Sequence, residues 1–433
     1  MSSSTVSEAD GDDDNGRHSE DIDNLRELLM LGGVDIDVES IDFFAGSSSG
    51  DNYMSVVKRV LVKGRDRAEN DFQKNFIIKR QIPSLSRRQL YRCDEAFKNE
   101  ISAYNHVIPL LKQYSGKDSP FPICFFAGHD SDGEIIILDD LKQLGFQMKN
   151  RLDDMDFEHC TVVMKELSKW HAASILSKRT NPDYEKHTSR LSEIVYCQEA
   201  EHFYKQIYNS SINDTIESLN RSNTDGQLTE PIQKLETFRN KLFDLIKKYV
   251  TEGNNSPTTV ICHGDLWVNN IMFKWNSQGM PIECKFFDLQ AMRCTSPAFD
   301  ILHFIFTSTK RSLRDSHLTN LLNIYISSLH DEFNRNAPSE DCEAIKELFS
   351  FEMIKKEVFK YILYGLAVAM WILPAVTFDS NNIPDLNVIS EGNTSPKEFK
   401  MAKQLTIEYH SRIKDLLLEF YENQWFSVDV EFQ

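Results

Sequence analysis

"VICHGDLWVNNIMF", residues 260–273, decides how the rest of the chain is read. Apolar residues at Val260–Cys262 and again at Ile271–Phe273 bracket a polar interruption. It holds His263, Gly264, Asp265 and, five residues beyond that Asp, Asn270. A core strand has no packing reason to keep an aspartate and an asparagine at that spacing. A second strand-like run, "ECKFFD", ends on Asp288. Asn and Asp oxygens are hard ligands of the kind Mg²⁺ takes while it keeps waters and shares substrate phosphates. Asp265, held apart from the metal, is placed to accept a proton from an attacking hydroxyl. His-x-Asp, an Asn five residues on and a further Asp downstream is the spacing of a protein-kinase catalytic loop. The competing reading makes Asp265 and Asn270 turn residues and Asp288 a strand terminator, since both types favour turns.

The whole chain sets bounds on that reading. Its 433 residues exceed what one hydrophobic core usually serves, so two lobes are expected. A hydrophobic fraction of 41% supplies a core. The net charge of −18 argues against nucleic-acid partners, which need a basic footprint, but says little against a small anionic ligand. Eight cysteines are scattered without a CxxC, the usage of reduced thiols in the cytoplasm. The opening stretch, "MSSSTVSEADGDDDNGRHSED", lacks an apolar signal core and reads as an acidic, disordered tail over 1–24. "YILYGLAVAMWILPAV" (361–376) falls short of the ~20 residues a membrane span needs and is closed by Pro374, so a buried helix is expected and no membrane partner.

Along the chain, "IDFFAG" (41–46), "YMSVVKRVLV" (53–62) and "NFIIKR" (75–80) read as strands. Residues 93–111 place Phe97, Ile101, Tyr104, Ile108 and Leu111 at helical spacing, with Glu100 beside the stripe. "FPICFFAG" and "GEIIILDDL" read as a hairpin across "HDSDG". From Asp153 the pattern turns helical, over 157–176, 229–250 and 340–375, with polar loops at 209–228 and 378–397. The exception is a strand island at 259–290. A kinase-type site also needs a cation on the phosphates, a helix carboxylate to pair with it and a loop over the phosphates. Lys79 sits in the third strand, Glu100 on the next helix, and Gly46 and Gly50 flank Ser47, Ser48 and Ser49 between the first two strands. Backbone N–H groups in such a turn can approach phosphates without side-chain obstruction. Singly, a Lys ending a strand is most often a solvated charge and a Gly/Ser turn only a hairpin. In this order they reinforce one another.

The segments "FFAGSSSGDNYMSVVKRV", "FIIKR", "FKNEISAY", "IIILDDL", "LSKWHAAS", "VICHGDLWVNNIMF", "KFFDLQ" and "SPAFDILHF", from about residue 42 to 306, resemble the ecdysteroid kinase-like family. That family lies in the choline kinase and aminoglycoside phosphotransferase branch of the protein-kinase-like fold. The resemblance implies a two-lobed α+β fold. A small antiparallel-sheet lobe over 25–141 binds ATP, and a larger, mainly helical lobe over 142–433 carries the catalytic loop and acceptor site, with ATP and Mg²⁺ between them. By the same resemblance Lys79 contacts the ATP phosphates and pairs with Glu100, and the Gly46–Gly50 loop covers the phosphates. Leu138, Asp139, Asp140 and Leu141 form the hinge at adenine. Asp265 is the catalytic base, and Asn270 and Asp288 hold Mg²⁺. Asp300 in "SPAFD" braces the catalytic loop through backbone N–H bonds, with a helix N-cap as its plainer role. His171 in "KWHAAS" is a packed, hydrogen-bonded core residue. The implied reaction is phosphorylation of a hydroxyl on a small molecule, an ecdysteroid or another bulky apolar alcohol. Trp267, Trp371 and Tyr364 could line its pocket, or simply pack the core. Two rivals remain: a choline- or aminoglycoside-type kinase acting on a cation, and a non-catalytic ATP-binding protein. The chain departs from protein kinases in its Gly-x-x-x-Gly loop and in Leu289-Gln290 after the metal Asp, so no mobile activation segment is expected.

Overall fold

A computed structural model describes residues 23–46, 54–115, 119–338, 340–377 and 405–427. The chain forms two compact units, one of residues up to Gln81 with Ile123–Gln143, the other of Ile82–Pro122 with everything from Leu144.

The first unit is an antiparallel sheet of five strands, in the order β1-β2-β3-β5-β4. These are β1 (Ile36–Ala45), β2 (Ser55–Asp66), β3 (Asp71–Gln81), β4 (Cys124–Asp130) and β5 (Gly133–Asp139). Period-two alternation turns Val60, Val62, Phe76, Ile78, Ile135 and Ile137 to one face. That face is covered by a helix over 23–31, which the sequence reading left unassigned. Leu25, Leu28 and Leu29, at helical spacing, dock on it. Asp23 and Asn24, placed in the tail by the sequence reading, are helical, and the rest of that tail, residues 1–22, lies outside the described residues. Asn24 Nδ2 donates to Asp130 Oδ2 at 3.0 Å, and Arg80 holds the same carboxylate with two bonds.

The second unit is mainly helical. Helices Leu85–Tyr91, Cys93–Ser102 and Ile108–Ser115, with a π-turn at Ala103–Val107, belong here and not with the strands as the sequence grouping had them. The reason is Asn99. Its buried amide Nδ2 donates to the carbonyls of Ser192, Gln290 and Met292, which ties its helix to the island. The central helix Phe157–Thr180 begins at an Asp156 N-cap and packs along Arg311–Asn336. Helix Ile362–Thr377 packs on Ala298–Ser308 and is almost wholly buried. It continues through Pro374 to Thr377, so that proline does not close it. Among the described residues no single helix is long and apolar enough to cross a membrane.

Of the loop expected over 209–228 only 223–228 is one, because helix Glu201–Ser222 runs through the rest and buries Ile212, Thr215, Ile216 and Leu219. The stretch 229–250 breaks into Thr229–Glu236 and Leu242–Asn254 around Asn240, whose φ is +60°. The stretch 340–375 divides into Cys342–Leu348, Phe351–Lys360 and Ile362–Thr377. The loop expected over 378–397 lies outside the described residues. The island holds β6 (Gln147–Met148), β7 (Val260–Cys262), β8 (Ile271–Trp275), β9 (Pro281–Phe286) and β10 (Arg293–Thr295). β6-β8-β9 form one small antiparallel sheet and β7-β10 another. All eight cysteines are free.

The docking of the first helix is open to test. Leu29→Ala removes a fully buried side chain and is expected to lower stability by about 2–4 kcal/mol in urea unfolding. A change below about 0.5 kcal/mol, the range of surface substitutions, would show that this helix contributes nothing to the sheet.

Candidate active site

The loop after β7 is built from its backbone outward. Gly264 has φ +85°, and a Cβ there would lie 2.0 Å from the Ala291 carbonyl oxygen. Both constraints exclude any side chain between His263 and Asp265. Asp300 fixes the turn: His263 N–H donates to its Oδ2 at 2.7 Å and Gly264 N–H to its Oδ1 at 2.9 Å. The N-cap of helix Ala298–Ser308 is Pro297, so Asp300 serves the loop and not its own helix end.

His171 Nε2 lies 3.2 Å from Asp300 Oδ2, and its Nδ1 lies 2.8 Å from the Tyr325 hydroxyl. His171 is therefore the hydrogen-bonded core residue expected of it. Its neighbours in "LSKWHAAS" finish the job. Trp170 Nε1 donates to Ile261 O at 2.6 Å and Ile261 N–H donates to Ser174 Oγ at 2.9 Å, which satisfies the outer edge of β7. Burial alone would raise the pKa of Asp300, but the hydrogen bonds from His171 and the loop hold it down to about 2.

Asp265 follows this turn with its side chain 35% exposed. Asn270, at the end of the 3₁₀ turn Val268–Asn270, donates through Nδ2 to the Asp265 carbonyl at 2.8 Å and to its carboxylate Oδ2 at 2.9 Å. The amide is thereby fixed with its NH₂ on Asp265. Its Oδ1 accepts nothing from a described residue and is left as a neutral ligand atom. Phe287 N–H bonds Asn270 O at 3.1 Å, and His263 Nε2 donates to Phe287 O at 3.0 Å. Asp265 N–H closes the circuit on His263 Nδ1 at 3.3 Å. Burial lowers the His263 pKa, so this ring is neutral and its tautomer follows from the two bonds.

Asp288 comes next in that chain, in the left-handed region at φ 66°, ψ 70°. For a non-glycine residue that conformation costs about 1–3 kcal/mol and persists only where the surroundings impose it. Partial burial, and then the nearby Asp288 charge, raise the Asp265 pKa to about 7. The two coupled carboxylates and the uncommitted Asn270 amide oxygen are all hard-oxygen donors, and a divalent cation would relieve the repulsion between the two charges. Asn270 and Asp288 fit Mg²⁺ on this chemistry.

Reading the sequence did not find a second group beside the base. His303 lies three residues after Asp300 on the same helix face, and its Nε2 is 3.4 Å from Asp265 Oδ1. Its Nδ1 is 3.1 Å from the Tyr364 hydroxyl. Arg293 Nη2 donates to that hydroxyl at 3.2 Å and reaches Gly264 O at 3.5 Å, and Arg293 Nη1 pairs with Glu193 at 3.3 Å. The available signal was the spacing within "SPAFDILHF".

The first unit holds the expected residues of strands β1, β3 and β5. Lys79 is buried on β3, opposite Val57 and Ile136 in register. Leu138 and Asp139 end β5, and Asp140 and Leu141 follow it. Asp139 pairs with Lys74 at 3.0 Å and Asp140 with Arg59 at 2.8 Å, so both carboxylates are held by β2 and β3. Gly46 follows β1 so close to β2 that a Cβ would sit 2.8 Å from Val57 O. Ser47, Ser48, Ser49 and Gly50 lie outside the described residues. Glu100 is fully buried on its helix in the second unit. Of the aromatics expected at an acceptor pocket, Tyr364 is committed to its core hydrogen bonds, Trp267 is buried, and half-buried Trp371 stacks edgewise on Tyr204.

A family model described as the ecdysteroid kinase-like family matches residues 49–336. No curated protein matches the sequence. Among solved structures, a point mutant of aminoglycoside 2′-phosphotransferase IIIa in complex with GDP aligns with a TM-score of 0.41 at 12% identity, covering 93% of this chain and 98% of that one.

The brace yields a test. Asp300→Ala leaves two buried loop N–H groups and His171 without an acceptor, and is expected to cost about 3–5 kcal/mol of stability in urea unfolding. Because the folded pKa of Asp300 is depressed, its contribution is complete above the unfolded value near 4 and is lost as pH falls towards 2. In wild type, unfolding free energy should therefore drop between pH ~4 and ~2 by up to about 2 kcal/mol more than in Asp300→Asn. Equal slopes in the two proteins would remove Asp300 from the acid transition.

Proposed function

The chain belongs to the ecdysteroid kinase-like family, and from that membership we propose that it is an ATP- and Mg²⁺-dependent small-molecule kinase. Its acceptor is the hydroxyl of an ecdysteroid or a similar apolar alcohol. The observation that carries this reading is the fixed geometry around Asp265: a carboxylate anchored by Asn270 on a loop braced by Asp300, beside a strained Asp288.

In this reading Asp265 accepts the proton of the acceptor hydroxyl as its oxygen bonds to the γ-phosphorus of ATP and the bond from that phosphorus to the bridging oxygen breaks, releasing ADP; Asn270 holds the other carboxylate oxygen so that it cannot rotate. Asn270 Oδ1 and the Asp288 carboxylate hold the metal, which when bound neutralises phosphate charge. Lys79 serves the phosphates with Glu100 as its partner, the Gly46–Gly50 loop covers them, and backbone groups over Leu138–Leu141 meet adenine. Most of the rate comes from charge neutralisation and positioning. The eight free cysteines suit a reducing, cytoplasmic setting.

A steroid-sized acceptor gains its binding from apolar burial, at about 25 cal/mol per Å². A choline-like acceptor needs a cation–π or carboxylate contact of about 0.5–2 kcal/mol, which salt screens.

ATP consumption with Mg²⁺ across a panel of steroid and amino alcohols is the experiment. Polyhydroxylated steroids are expected to outcompete choline and aminoglycosides, with a KM nearly independent of NaCl. Turnover of cationic alcohols alone, with affinity falling steeply in salt, would instead make the enzyme a choline- or aminoglycoside-type kinase. In the same assay Asp265→Asn should retain ATP affinity and lose turnover by about two to four orders of magnitude. A mutant with wild-type turnover would mean that Asp265 is not the base.

A further inference from the structure

Five side chains, the middle three of them buried, run in sequence from the flank of the candidate site to its base. Glu193 pairs with Arg293, and the Arg293 guanidinium lies over the Tyr196 ring at 5.3 Å. Arg293 donates to the Tyr364 hydroxyl, which meets His303 Nδ1, while His303 Nε2 faces Asp265 Oδ1. Arg293, His303 and Tyr364 are each at most 5% exposed. A chain of this length in a protein interior has few ways to satisfy its protons.

Arginine can only donate, so the Tyr364 oxygen accepts from it. The single hydroxyl proton of Tyr364 then goes to His303 Nδ1, because among the described residues no other acceptor is bonded to it. That leaves the imidazole proton on Nε2. With Asp265 ionised, as a base must be, the far end requires the same assignment, since a lone pair there would face the lone pairs of the carboxylate. Burial keeps His303 neutral, and the groups facing it (Asp265, Asp300, Arg293, His263 and Tyr364) do not reverse this. At 3.4 Å the Nε2–Oδ1 contact is longer than a formed hydrogen bond, and Nε2 has no other partner among the described residues. Contacts of this kind tighten when the reacting complex assembles.

Resting on the kinase reading, we propose that His303 is a positioning residue for the catalytic base, which it orients by donating Nε2–H to Asp265 Oδ1. Asn270 holds Oδ2 and His303 steadies Oδ1. The carboxylate is gripped on both oxygens, and the remaining lone pair of Oδ1 points to the acceptor hydroxyl. Arg293 and Tyr364 act one step further back, by keeping His303 in the one tautomer that can donate. Arg293 also reaches the Gly264 carbonyl, so a single cation steadies both the loop and the relay.

The matched pair His303→Gln and His303→Met tests this, since the two side chains are close in length and only the first carries an N–H near the Nε2 position. With Mg·ATP and a polyhydroxylated steroid, His303→Met is expected to lower kcat by about ten- to hundredfold, the effect of one hydrogen bond to a charged group. The KM for ATP should stay within about twofold, and His303→Gln should recover kcat to within about fivefold of wild type. Equal losses in both variants, or none in either, would overturn the proposal, because neither depends on the N–H.

A second readout does not need activity. Long-range proton–nitrogen NMR of labelled imidazoles, with the His303 signals identified by their absence in His303→Gln, should show the Nε2–H tautomer in wild type and its loss in Tyr364→Phe. An Nδ1–H tautomer in wild type would overturn the proposal whatever the kinetics. A wild type that leaves ATP untouched with every acceptor would instead defeat the kinase reading, while the tautomer still decides the geometry.

Discussion

The buried Asp300 carboxylate is the interaction on which the second unit's chemistry depends. Placing an ionised carboxylate in a protein interior carries a penalty of several kcal/mol unless its lone pairs are filled. Here they are filled by His263 N–H, Gly264 N–H and His171, whose other nitrogen meets Tyr325. One group thus joins the loop to helices Phe157–Thr180, Ala298–Ser308 and Arg311–Asn336. None of those helices can shift without leaving a buried donor or acceptor unpaired, and that is what makes a two-residue turn rigid enough to aim Asp265.

From that fixed point the loop accumulates features that stability alone would not retain. Asp288 occupies a left-handed conformation, Gly264 has room for no side chain, and Asp265 titrates near neutrality beside another carboxylate. Each is locally unfavourable, and strain and shifted pKa values concentrate where a protein does chemistry. The hydrogen-bonded circuit through Asn270, Phe287 and His263 keeps these features in place without committing Asn270 Oδ1.

The parts of this arrangement that lie in local patterns were legible in the sequence. The strands around Lys79, the helix stripe beside Glu100, and the Asp265–Asn270–Asp288 spacing follow from period, turn residues and ligand chemistry. The loop-bracing role of Asp300 followed from its motif, with a helix cap as an equal alternative until its partners were seen. What escaped depends on tertiary contacts. Helix 23–31 is too short to stand out from an acidic tail until a sheet face buries its leucines. The region 209–222 reads as polar because a surface helix shows mostly its wet side. Asn99 looks like an ordinary helix-surface amide, yet its partners lie some ninety or more residues away, and they place its helix with the island. His303 sits in an apolar helix where a core histidine is the plain reading. Its significance comes from Asp265, which lies 38 positions earlier in the chain and touches it only through the fold.

The central claim is that Asn270 and Asp288 make this loop a metal-dependent phosphoryl-transfer centre. It is tested most directly by titrating ATP into wild type and Asp288→Ala by calorimetry, with and without Mg²⁺. In wild type, ATP affinity should rise markedly with Mg²⁺. In Asp288→Ala that enhancement should disappear, because a neutral amide alone is a poor ligand. The same Mg²⁺ dependence in both proteins would contradict the claim and return Asp288 to a purely structural role.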